Sequence, residues 1–469
     1  MLFLRFIFSI FSILITGYII LKLFFHPKER LPFGEIIILA FGIGVGFAGL
    51  ETLFLSFTKY PLNTGYLLSF QFMLLVIAIF KFKKSFFYWK KSYTDEKVTY
   101  SPLTLFFLLI ILWEIIYIFL EAFSLPFTAW DAWGNWGFKA KIIFSEKTFP
   151  LKLWTELPWI KHPAHLDYPL LIPFTEAYIY FFLGQVHDAF AKLFCSFYYL
   201  GIISLFYYHL KKRFNINFVL VSCFCLATIP NILMMAPTGY MEMALIFYIT
   251  GGIFYIWRYL EEKDISFLSL GSIFIGLGMW TKNEGFSLWL TLFLSSLLMC
   301  LLFRLNIDKK RLLISVLFIP LLIFSPWIIF KYIFGLKAEF FASSLQNLVK
   351  DLPILLRERM PLIFNILIKN CLDFKKWNIL WFGFVFTLIW FLIKPYKKLS
   401  MFFIFIIILQ IIFDFVIYII WPVNLFELEL HIFNSVDRLL VDIAPLALFF
   451  ICQQLGKRFD KNYMKGSKI

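Results

Sequence analysis

Fourteen apolar runs recur along the chain, and they limit its possible folds more than any other feature. They lie near residues 2–25, 34–56, 64–80, 102–124, 170–184, 188–209, 216–236, 240–257, 266–281, 285–303, 312–334, 378–393, 400–421 and 439–455. Most are long enough for an α-helix to cross the ~30 Å hydrocarbon core of a bilayer. Lipid offers backbone N–H and C=O groups no partner, so a spanning segment must be a helix or part of a closed barrel. A barrel would show short alternating strands, and none are visible. Only 16% of the 469 residues are charged, against roughly 25% in soluble proteins, which excludes a water-soluble fold. The fold class is therefore all-α: a polytopic transmembrane helical protein of one membrane domain.

The formal net charge is +15. In a soluble protein this would suggest nucleic acid. Here the lysines and arginines lie in short loops beside the runs, the pattern of cytoplasmic topogenic charge, so no nucleic-acid partner is expected. The loop 81–101 carries Lys81, Lys83, Lys84, Lys90, Lys91 and Lys97 and is expected inside, which puts the Trp130–Pro173 stretch outside. If run 170–184 dips into the membrane without crossing, Lys211-Lys212-Arg213, Lys309-Lys310-Arg311 and the basic tail 456–469 all return to the cytoplasm. That gives about thirteen crossings of a cytoplasmic membrane, bacterial by expectation, with the active face outside. The run Leu2–Phe25 is too long for a signal-peptide core and reads as a retained span. Five of the six cysteines lie in apolar runs and show neither metal spacing nor a disulfide framework.

Trp130–Pro173 is the least membrane-like stretch. It opens W-D-A-W-G-N-W-G-F-K-A-K and closes H-P-A-H-L-D-Y-P-L-L-I-P. Asp131 could cap a helix or serve as an acid or base among Trp130, Trp133 and Trp136. Lys139 and Lys141 could neutralise a phosphate or snorkel to headgroups. His162, His165 and Asp167 could bind a divalent metal by donor type, but H-x-x-H-x-D matches no strong zinc signature. Tyr168 and a proline follow Asp167 and favour a helix start. Glu242, at the start of a run, suits the helix macrodipole, yet an acid at the edge of lipid is also a functional suspect. Lys282 and Glu284 flank Asn283 in a polar turn between two runs. Arg438 precedes the last run and could clamp a phosphate or anchor the helix. In the expected topology these residues share the outer side with a second loop, 335–377, which is expected to hold a surface-lying amphipathic helix.

Taken in order, W-D-A-W-x-x-W-x-x-K-A, H-P-x-x-x-D-Y-P-L-L-x-P, G-Y-x-E, T-K-N-E-G and S-x-x-R-L resemble the membrane-embedded GT-C glycosyltransferase superfamily. The likeness is to its branch of protein O-mannosyltransferases and aminoarabinose transferases. It covers roughly residues 102–455, with external loop 125–170; residues 1–101 look like an N-terminal addition. The resemblance implies sugar transfer from a polyprenyl-phosphate carrier to a lipid, glycan or protein acceptor on the external face. Asp131 would then be the general base, with Asp167 and Glu242 as further site acids. Trp133, Trp136, Lys139, Lys141, His162, His165, Tyr168, Lys282, Glu284 and Arg438 would bind substrate. Ala132 follows Asp131 where relatives pair two acids, which leaves acceptor class and a divalent-metal cofactor open. A polysaccharide polymerase or ligase would use the same lipid-linked chemistry. A secondary transporter would instead show inverted repeats and polar residues at mid-membrane.

Overall fold

The computed structural model describes residues 1–27, 31–82, 100–151, 165–336, 345–394, 398–421 and 423–456. His162, Lys83 to Lys97 of the basic loop, residues 337–344 of the second loop and the basic tail after Gly456 lie outside them. Among the described residues there are eighteen α-helices and no strand. Nine are long and apolar enough to cross a membrane.

Four helices precede the central loop: α1 (Leu2–Phe24), α2 (Phe33–Ser56), α3 (Thr64–Phe82) and α4 (Pro102–Ser124). The loop itself holds a π-helical turn (Ala132–Gly137) that runs into α5 (Phe138–Glu146). Then follow α6 (Leu171–Leu183), α7 (Asp188–Lys211), α8 (Ile216–Ala227) and α9 (Pro230–Met235). Next come α10 (Glu242–Glu262), α11 (Ile265–Thr281), α12 (Glu284–Leu302) and α13 (Lys309–Ile333). The second loop is largely helix: α14 (Leu345–Cys371) and the short α15 (Phe374–Trp377). The chain ends with α16 (Leu380–Ile393), α17 (Met401–Ile420) and α18 (Leu425–Leu455).

Helix α10 is the axis of the bundle. Every residue from Glu242 to Leu260 is buried, with α7, α11 and α18 packed around it. Helices in lipid gain little from burying apolar surface, so close packing and interhelical hydrogen bonds hold such a bundle. The N-terminal helices join α10 through such bonds. Tyr248 donates to the Gly42 carbonyl at 2.8 Å, Tyr255 donates to Glu35 at 2.7 Å, and Arg258 pairs with Glu35 at 3.1 Å.

Two helices depart from the expected runs. Run 216–236 is two helices, because α8 ends at Thr228 and Pro230 opens α9. Proline has no N–H for a continuing ladder but fits a first helical turn. The last run was expected to begin at 439, whereas α18 already begins at Leu425, capped by Asn424, whose Oδ1 accepts from the Glu427 N–H at 2.9 Å. Hydropathy marks only the apolar length of a helix. The more polar first half of α18 continues because neighbouring elements pack on it. Arg438 therefore sits inside a long helix, where both its backbone and its rotation are fixed.

Candidate active site

Five segments meet where α10 begins. The approach to α10 is a turn at Gly239, whose φ of +81° suits glycine and few other residues. It places Tyr240 and Glu242 at the mouth of the bundle. Between α11 and α12 a single residue, Lys282, is extended (φ −156°, ψ 153°). This break folds α12 back so tightly that a Cβ on Gly285 would lie 2.4 Å from the Gly278 carbonyl oxygen. The T-K-N-E-G turn therefore needs its glycine, and it aims Lys282 at Glu242.

The result is a continuous ladder of alternating charge. Arg438 Nη2 lies 2.6 Å from Asp131 Oδ2, and Arg438 Nε donates to Glu242 Oε1. Lys282 Nζ lies 3.0 Å from the same Glu242 oxygen and 2.6 Å from Glu284 Oε1. Glu242 is fully buried and Lys282 nearly so. Burial opposes the Lys282 charge, but the Glu242 and Glu284 carboxylates outweigh it and hold the pKa above its ordinary value. The Arg438 guanidinium also lies over the Tyr240 ring, 4.9 Å from its centroid. Asp131 makes no capping hydrogen bond; its carboxylate is turned to Arg438. The π-helical turn beginning at Ala132 is of a kind often found at functional sites.

A second layer flanks the ladder. Asn283 Nδ2 donates to Asp167 Oδ2 at 2.9 Å. Tyr168 packs edge-on against Trp136, with centroids 5.3 Å apart. Burial, with Glu284 and Asp167 nearby, pushes the Tyr168 phenol well above its usual range, so it stays a neutral donor. Asp131, Asp167, Tyr168, Glu242, Lys282, Glu284 and Arg438 thus come together, with Trp136 behind them.

Other expected site residues go elsewhere. Lys141 does not reach the ladder; it pairs with Asp188 at 2.9 Å, at the start of α7. Trp133 is 52% exposed and packs against the Trp130 ring, 5.8 Å between centroids. Lys139 is buried and donates to the His165 carbonyl at 2.9 Å, which ties α5 to the turn before Asp167. His165 itself faces the Tyr168 ring, 5.7 Å between centroids. Among the described residues, no three His, Cys, Asp or Glu side chains are grouped so as to hold a metal ion. Within the ladder, Arg438 or Lys282 already occupies each acid.

Burial pushes the Lys139 pKa down to about 7, against the opposing pull of Asp167. Between that value and the ordinary lysine range the unfolded chain binds the extra proton, so stability rises with pH there. Below pH ~7 both states are charged and the burial cost is fully present. Thermal unfolding in detergent should therefore show Tm climbing from pH 7 towards 10. Lys139→Met should flatten that climb, and an unchanged slope would mean that Lys139 stays charged.

Sequence reasoning did not single out Asn283, Tyr240, Asp414 or Asp442. Asp414 and Asp442 are buried, and Asp442 lies in electrostatic contact with Lys282. Their signal was available, since each is a lone acid within an apolar run. Asp414 also lines a small apolar cavity of about 20 Å3 between α14, α17 and α18, with Ile363, Ile411, Phe415, Val436 and Leu439.

The fold and the ladder together define a polytopic helical membrane protein with buried acids and cations converging at one end of its central helix. Residues 167–330 match the family model described as Dolichyl-phosphate-mannose-protein mannosyltransferase, a GT-C type membrane glycosyltransferase domain, so this stretch is similar to that family. The match includes Asp167, Glu242, Lys282 and Glu284; Asp131 and Arg438 lie outside it. No curated protein and no solved structure matches the chain.

Proposed function

We propose that this protein transfers a sugar from a polyprenyl-phosphate carrier to a hydroxyl or amine acceptor at the external face of the membrane. The observation that carries the reading is the ladder: one carboxylate at its open end, backed by two cations fixed on a buried glutamate. Asp131 accepts the acceptor's proton, and the acceptor oxygen or nitrogen attacks the anomeric carbon. The bond from that carbon to the phosphate oxygen breaks, and its electron pair leaves with the polyprenyl phosphate. One displacement inverts the anomeric centre. Arg438 and Lys282 meet the charge that develops on the leaving phosphate, where preorganised donors contribute most. Glu242 holds both cations in place, and Asp167 and Tyr168 border the acceptor side.

The direct test is transfer by purified protein from a polyprenyl-phosphate sugar, with products identified by mass spectrometry. Membrane glycolipids and surface polymers of cells with and without the gene identify the sugar and acceptor. Absence of any sugar-bearing difference, together with no transfer in vitro, would overturn the reading.

The external placement makes its own prediction. Cysteines introduced at Ser145 and Gln185 should react with an impermeant maleimide in intact cells, and one at Lys91 only after permeabilisation. Helix α6 has 13 residues, or about 20 Å at 1.5 Å per residue, short of the ~30 Å hydrocarbon core. A protected Gln185 site would mean that α6 crosses nonetheless. Labelling at Lys91 in intact cells would reverse the orientation.

A further inference from the structure

Arg438 has a neighbour that never reaches the ladder. Asp437 points to the second loop, where Lys376 Nζ lies 2.8 Å from its Oδ2 and 3.0 Å from its Oδ1. Asn370 Nδ2 donates to the same Oδ1. Asn370 is itself held, because the buried Trp377 donates its Nε1–H to Asn370 Oδ1 at 2.9 Å. Lys376 also sits over the Phe433 ring, 5.7 Å from its centroid, one turn earlier on α18. The α14–α15 corner therefore grips two successive turns of α18 on one side, while Arg438 reaches into the ladder on another.

A second grip fixes where α18 begins. Arg359 of α14 donates to three carbonyls at the α17–α18 connection: Ile419 at 2.9 Å, Trp421 at 2.6 Å and Val423 at 2.7 Å. Arginine's planar fork suits such simultaneous bonds. With both its start and its middle held by α14 and α15, α18 can neither slide nor roll freely.

The rotation of α18 matters because Arg438 must reach Asp131 and Glu242 together. Its Cα lies only ~2.3 Å from the helix axis, while the guanidinium sits at the far end of a long side chain. A small roll of α18 is thus enlarged at the charged head. Misplacing a catalytic group by about 1 Å can cost ~10²-fold in rate.

We propose that Asp437, with Lys376 and Asn370 as its partners, is a positioning residue: it sets the rotation of α18 so that Arg438 meets the donor phosphate. Asp437 touches no reacting atom and acts only through Arg438. The inference rests on the reading of Arg438 as a phosphate-binding cation, and it makes the second loop part of the active-site architecture.

The test is a set of variants assayed for donor kcat and KM, acceptor KM and Tm. Lys376→Met and Asp437→Asn should each lower kcat/KM for the donor by about tenfold and leave the acceptor KM unchanged. Lys376→Arg should restore most of the loss, because it keeps both charge and reach. The double variant should be no worse than either single one, since both break one contact. In an Arg438→Ala background, Lys376→Met should have no further effect. An equal tenfold loss in that background would mean that Lys376 acts independently of Arg438, and would overturn the inference. So would kinetic constants that stay at wild-type values while Tm alone falls. If Lys376→Met fails to insert, Asn370→Ser breaks the same grip from α14 and carries the same expectations. Failure of the underlying reading looks different: Arg438→Ala itself would keep wild-type transfer.

Discussion

Asp131→Asn should insert and fold as the wild type does and lose sugar transfer by at least ~10²-fold, the lower end of general-base contributions. The amide keeps the shape of the side chain and its oxygen can still accept from Arg438, but it has neither the negative charge nor the basicity to take the acceptor's proton. Donor binding should survive or tighten, because one negative charge near the phosphate is gone and Arg438 is held less firmly. A capping role would give the opposite result, since asparagine caps helices about as well as aspartate. The structure has no such cap at Asp131. Turnover and donor affinity of the purified protein, with Tm alongside, decide between the two. Near-wild-type turnover would remove Asp131 from the mechanism and shift the role to Asp167 or Glu242.

Arg438→Lys should be almost as damaging for transfer, with a loss of ~10²–10³-fold, as when a preorganised donor to a developing anion is removed. A lysine keeps the charge but has no planar fork to reach Asp131 and Glu242 at once. Arg438→Ala should add a stability defect. Glu242 is fully buried, and removing one partner of a buried ion pair commonly costs about 3–5 kcal/mol. Lys282 remains on Glu242 at 3.0 Å, so the loss should fall near the lower end. Adding Glu242→Gln to Arg438→Ala should recover much of the Tm, because the carboxylate that lost one of its two cations is now neutral and Lys282 keeps Glu284. It should recover none of the transfer. Recovery of both would mean that the ladder is an assembly device and that the chemistry lies elsewhere.

These expectations depend on pairings that no local stretch of sequence announces. Hydropathy alone was enough for the all-helical, membrane-spanning class. Apolar runs of bilayer length admit few structures, and each can be read without knowing its neighbours. The same logic picked out Asp131, Glu242, the Lys282–Glu284 turn and Arg438, because charge at the edge of an apolar run is costly unless something uses it. Which charge meets which was not legible. Arg438 and Glu242 are 196 residues apart in sequence, and their pairing requires the α18 rotation that the second loop imposes. Lys141 looked equivalent to Lys139 from its place in the loop. The two face different neighbours once α5 packs, one meeting Asp188 and the other a backbone carbonyl. The length of α18 was hidden for a related reason, since its more polar first half carries the Asp437 contacts to Lys376 and Asn370, which come from a distant part of the chain. Asp442 was hidden in another way: a lone acid in an apolar run acquires meaning only when a helix from elsewhere brings Lys282 beside it. Sequence alone determined the class of the fold and most of the charged residues in the cluster. Their pairing is tertiary, because it depends on how helices distant in sequence rotate and pack, and no single helix encodes that.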